Sequence, residues 1–145
     1  MDAILQTEPT FAFVVLRLSL AIIFTAHGSQ HLLGLFGGKG PQAQVTNWHD
    51  KYSIPVVIGC IGIATEGLGV LSMVSGFLVR PFAVGIAVFI VVALFKSHWE
   101  HGFFLTGPGK KGTGIEYCLA IFFIALALVI GGAGAWSVDL WLTTP

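Results

Sequence analysis

A few ionisable residues set in or beside apolar stretches are the groups of this chain best placed to do chemistry. Arg17, His27 and His31 occupy one apolar stretch and Glu66 a second, while Lys96, His98, His101 and Glu116 stand at the borders of two more. An ionisable side chain is expensive to hold in hydrocarbon, so each one retained there is a functional candidate by default. At 100° per residue, Arg17, His27 and His31 fall within an arc of about 80° on one helix. Gly59, Gly62, Glu66 and Gly69 recur at alternating spacings of three and four, a carboxylate in a stripe of glycines. Small residues let helices approach closely, which turns that stripe, and Glu66 with it, toward the interior.

A rise of about 1.5 Å per residue puts His27 roughly 9 Å, Glu66 roughly 15 Å and Arg17 roughly 24 Å from the side that carries the long loops. Glu66 then lies between two cationic partners. Because a buried charge without a partner costs several kcal/mol, an Arg17–Glu66 pair is the expected contact. Such a pair either fixes helix register or supports a ligand site. Antiparallel alternation of the helices brings His27, His31, Lys96, His98, His101, Glu100 and Glu116 toward the same end, so four of the five histidines gather there.

Histidine exchanges protons near neutral pH. The cluster therefore suits proton-coupled redox chemistry, with His27 as proton donor or hydrogen-bond partner, Arg17 and Glu66 as the buried supporting pair, and Lys96 attracting an anion. His27-x-x-x-His31 and His98-x-x-His101 make a metal site conceivable, but the ligand set matches no recognised signature. A bis-histidine haem needs histidines on two helices at matching depth, and only the first offers them. Neither metal nor haem is expected. Gly107 to Gly114 invites a phosphate reading but lacks P-loop spacing, and it reads better as a basic linker touching lipid headgroups. No nucleophile elbow or Ser-His-Asp order is present.

These residues must be positioned by membrane helices. The chain has 145 residues, 55% of them hydrophobic and 10% charged, and a mean hydropathy of +0.88. Soluble domains carry roughly a quarter charged residues. Four spans of roughly 20 residues with short loops use up the length. A net charge of zero argues against a nucleic-acid partner. Cys60 and Cys118 sit in apolar runs without a CxxC pair, as inert small hydrophobes rather than a disulfide framework. Asp2 and Glu8 give the N-terminus no positive n-region, so the first apolar stretch is expected to remain as a span.

The expected architecture is an all-α integral membrane four-helix bundle, one domain over 1–145, with spans at about 11–35, 56–77, 80–96 and 115–131. A polar loop is expected from Lys39 to Pro55 and another from Ser97 to Gly114. The third span has only 14 apolar residues, Phe82 to Phe95, and reads as the weakest of the four, with a re-entrant segment as the alternative. Arg80 and Lys96 bracket it and can snorkel. A short interfacial segment, Ser137 to Trp141, is expected at the C-terminus with Trp136 and Trp141 as anchors. Both termini then share one side. Lys39, Lys51, Lys110 and Lys111 in the two long loops place those loops in the cytoplasm.

The run Arg17 to Gly38 (RLSLAIIFTAHGSQHLLGLFGG), with an early arginine, a His-Gly step and a Gly-x-Phe-Gly-Gly exit, resembles the opening of the DoxX family. The resemblance continues through Glu66, Gly102-Phe103-Phe104, Gly114-Ile115-Glu116-Tyr117 and the tail Gly132 to Asp139. It implies a four-helix protein of the bacterial or archaeal cytoplasmic membrane, in a family named for membrane subunits of thiosulfate:quinone oxidoreductase. The function expected is a membrane subunit of a redox complex that handles quinone, a small sulfur oxyanion, or both. His27 and Glu66 would be the reacting groups, and Arg17, His31, Lys96, His98, His101 and Glu116 would hold substrate. The alternative is a non-catalytic accessory subunit, docked through its glycine faces against a larger respiratory or photosynthetic complex. Partners would be lipid, other membrane subunits or further copies of the chain.

Overall fold

The structure, a computed structural model, describes residues 2–107 and 112–144. Among these there is no strand. Helix α1 (Asp2–Leu5) is one turn, and α2 (Phe11–Leu33) follows Pro9-Thr10 and ends at Gly34, whose left-handed φ of 69° lets the next N–H, that of Leu35, reach back to Ser29 O. Helix α3 covers Pro41–Tyr52 and α4 covers Val56–Ser75. A left-handed Gly76 stops α4, its N–H bonding Ser72 O. Helix α5 (Val79–Ala93) runs without a break into a π turn (Leu94–His98) and a 3-10 turn (Trp99–His101). Helices α6 (Glu116–Gly131) and α7 (Val138–Thr143) complete the chain.

Helices α2, α4 and the continuous Val79–His101 segment are long and apolar enough to cross a membrane. The third span is therefore not the weakest. Its π and 3-10 turns carry it to 23 residues past the polar residues that limit its apolar run, and the shorter apolar helix is α6, with 16.

The segment 39–55 is also not a loop. Helix α3 starts with Pro41, whose fixed φ suits a first turn, and places Val45, Trp48 and Tyr52 on one face, while most of its other positions are polar. Three large apolar residues in a dozen give too little hydropathy signal to read as a helix, yet Val45 is buried against Gly59 of α4. The reading of 107–114 as a basic linker falls largely on 108–111, outside the described residues.

Helix α2 packs on α4 and α6, α5 packs on the same two, and α3 lies across α4 and α2. Leu20, Phe24, Met73, Ile86 and Leu128 fill the centre, all 2% exposed or less. Outward, Ile22, Leu71, Phe123 and Ile130 are at least 61% exposed. Apolar faces of this extent suit lipid and would aggregate in water.

Candidate functional site

Gly28 of α2 sits against the Glu66 main chain, where a Cβ would stand 3.7 Å from the Glu66 carbonyl oxygen. That close approach, from the small residue of the His-Gly step and the glycine stripe of α4, brings His31 within reach of Glu66. The His31 imidazole Nδ1 lies 2.6 Å from Glu66 Oε2, with His31 17% and Glu66 1% exposed. A carboxylate accepts, so Nδ1–H donates and Nε2 is left for a ligand. The expected Arg17–Glu66 pair does not form. Arg17 turns toward the other end of the molecule and donates to main-chain oxygens: Nε to Ala133, Nη1 to Met73 and Val74, Nη2 to Trp136. The last carbonyls of α4 lack intrahelical donors and carry the negative end of the helix dipole. A guanidinium at their level meets that need directly.

The pair opens onto a cavity of about 760 Å³ lined by α2, α3, α4, α5 and α6. Its walls are mainly apolar. Trp48 stands edge-on to His31, with centroids 5.2 Å apart, and against Phe89 at 5.9 Å; Phe89 in turn meets Phe24. His27 also lines the cavity, its ring 6.4 Å from that of His31. Gly62 makes room for this aromatic wall, since a Cβ there would come 3.2 Å from the Phe89 ring.

Lys96 and His98 line the cavity at its polar rim. His98 Nδ1 is 2.9 Å from Thr113 O and 3.0 Å from Thr113 Oγ1. The C-terminal end of α3 is tied to the π turn by Tyr52 Oη and Ser97 Oγ, 2.9 Å apart. Lys51 Nζ lies 4.9 Å from the Tyr52 ring centroid. Burial works to raise the Tyr52 phenol, but hydrogen bonds from Lys51 and Ser97 and the lysine charge bring it below the ordinary phenol range.

His101 and Glu116 do not reach the cavity. His101 lies 3.6 Å from Glu100 Oε1, and Glu116 Oε1 accepts the Leu105 N–H, ordering the turn before α6. Gln44, Asn47, Trp48, Tyr52 and Ser97 are lining residues that sequence reasoning missed. The first four belong to α3, and the signal that could have found them was the Val45-x-x-Trp48-x-x-x-Tyr52 spacing after Gly40-Pro41. No group of three or more His, Cys, Asp or Glu side chains able to hold a metal ion occurs among the described residues.

An all-helical, multi-pass membrane protein with a histidine–carboxylate pair inside a largely apolar cavity is the class that the fold and site define. The chain belongs to the DoxX family, whose model matches residues 12–99, a span that includes Arg17, His27, His31, Glu66, Lys96 and His98. Neither a curated protein nor a solved structure matches it.

Proposed function

We propose that this DoxX-family protein forms a four-span, single-domain bundle in the cytoplasmic membrane, both termini on one side and the two long connections, one of them carrying α3, in the cytoplasm. Its cavity binds the ring of a quinone, and the protein serves as membrane subunit of an oxidoreductase complex. The observation that carries this reading is the buried His31–Glu66 pair in the wall of an otherwise apolar, aromatic cavity.

The chemistry fits the ligand. Ligand cavities run from about 300 to about 1,000 Å³ and combine apolar walls with a few converging polar groups. Trp48 and Phe89 offer faces and edges to a flat ring, and His27 and His31 offer ring nitrogens to the oxygens of the quinone or the hydroxyls of the quinol. Bound quinone takes up two electrons and two protons to become quinol. Glu66 holds Nδ1 of His31 and fixes the ring, so Nε2 faces the ligand and, when it carries a proton, can pass it to a ring oxygen and be recharged. His27, beside His31, supplies the second. The electrons come from a partner subunit or from a small sulfur oxyanion such as thiosulfate, two of which yield two electrons on joining through an S–S bond. Lys96 and His98 at the rim suit such an anion.

The glycine stripe is occupied within the chain by Val45, Phe89 and Ile86, so an accessory subunit would dock through other faces. In lipid nanodiscs, a short-tailed quinone should bind the wild type. Glu66→Gln and His31→Ala should weaken binding about tenfold or more, as loss of a charge-assisted hydrogen bond does. No binding by the folded wild type, with its natural partners present, removes the quinone assignment.

A further inference from the structure

Besides its α3 roof the cavity has a side. Thr65 and Gly85 close the seam between α4 and α5, where a Cβ on Gly85 would stand 3.0 Å from the Thr65 methyl carbon. Nearer the long-loop end the seam parts. Ile58 and Ile61 of α4 and Val88 of α5 line the cavity, yet are 50%, 56% and 59% exposed. Val88 and Val92 also line a second hollow, an apolar furrow of about 280 Å³ between α5 and α6 that continues over Val84, Val91, Phe122 and Leu126. Val88 and Val92 thus stand between the inner cavity and the outer furrow. Val88 lies eight residues, about 12 Å along the helix, from Lys96 at the rim. The opening is thus below the polar groups, at the depth of hydrocarbon.

We infer that the cavity is loaded sideways from the bilayer, through a portal between α4 and α5 at Ile61 and Val88. Its ligand is an amphiphile whose flat polar head meets His31 and Glu66, and whose linear hydrocarbon tail leaves over Val88 and Val92 into the furrow between α5 and α6. The head-group half of this inference rests on the function proposed above; the portal half rests on the cavity walls alone. The route from water is the poorer one, since Trp48 and the Tyr52–Ser97 bond cover that end. A wholly apolar furrow has nothing to offer a soluble anion, whereas it gives a hydrocarbon chain continuous contact.

The test uses the full chain in nanodiscs, with Trp99, Trp136 and Trp141 replaced by Phe so that Trp48 alone fluoresces. Phospholipids brominated in mid-chain should quench Trp48, and filling the portal with Ile61→Phe and Val88→Phe should relieve that quenching. Quenching by aqueous acrylamide but not by brominated chains overturns the portal, as does quenching that the two phenylalanines leave unchanged. If the double variant does not fold, the comparison of brominated lipid with acrylamide on the unplugged chain decides. In the folded double variant, uptake of a decyl-tailed quinone should slow about tenfold, the slowing expected when entry must wait for a conformational change, and uptake at the wild-type rate overturns the portal. If neither quinone binds the unplugged chain while brominated chains still quench Trp48, the head-group assignment fails and the portal stands.

Discussion

Arg17 directs its guanidinium donors to four main-chain oxygens from two separate segments, the end of α4 and the stretch after α6. It is 3% exposed, so its role is to hold that end of the molecule together, away from the cavity. Arg17→Leu leaves those oxygens without donors at about 1–3 kcal/mol for each one that stays buried. Unfolding in mild detergent should therefore show a loss of about 3 kcal/mol or more, and Arg17→Lys, with three donors in place of five, should recover part of it. Quinone affinity per folded molecule should not change. A stable Arg17→Leu protein that no longer binds ligand would put Arg17 back in the binding site. His31 and Glu66 show the opposite behaviour at the same scale. They make one short contact, and both belong to the cavity wall.

Among the elements, α3 decides whether there is a cavity at all. It lies between Gly40, at a left-handed φ of 78°, and Ser53, at φ 56°, so its two ends are sharp changes of direction rather than continuations of α2 and α4. Val45 on Gly59 anchors one face, and the Tyr52–Ser97 bond fastens its last turn to the π turn after α5. Tyr52→Phe removes that bond and should cost about 1 kcal/mol, about a fivefold increase in local opening. Hydrogen exchange of the amides in 41–52 reports it, with the α4 and α5 amides as an internal control. Unchanged exchange over 41–52 would mean that Val45 and Trp48 alone hold the roof.

For the whole molecule, the C-terminal turn closes the structure onto its own middle. Asp139 of α7 is buried and accepts the N–H groups of Leu78 and Val79, the free donors at the start of α5, at 2.8 and 3.1 Å. Burial pushes its carboxyl above the ordinary carboxylate range, against the pull of these two amides and of the Arg17 and Arg80 charges. The folded chain then keeps this proton to a higher pH than the unfolded chain does. Where the folded state binds more protons, stability falls as pH rises. The contribution is complete below the unfolded value of about 4 and is lost as pH climbs through the raised folded value. The difference in unfolding free energy between wild type and Asp139→Asn should shrink with rising pH across that window. A difference that grows instead would show that the amide bonds and arginine charges outweigh burial.

The sequence by itself determined the membrane class, because an apolar composition and runs of helical length are properties of the chain and need no partner. The inward turn of Glu66 was legible too, since Gly59, Gly62 and Gly69 share its helical face, and so was the gathering of His27, His31 and His98 at one end. Which base Glu66 holds was not. Depth alone left Arg17 and the histidines as rivals, and the choice fell to the direction each side chain takes: Arg17 toward the bare carbonyls ending α4, His31 toward the gap that Gly28 leaves. Helix α3 was hidden because one buried valine, with Trp48 and Tyr52 half-buried beside it, leaves little trace in hydropathy. The length of the third span was hidden because a π turn carries a helix past polar residues that composition reads as its end. Cavity, portal and furrow are spaces between elements, and only packing creates them.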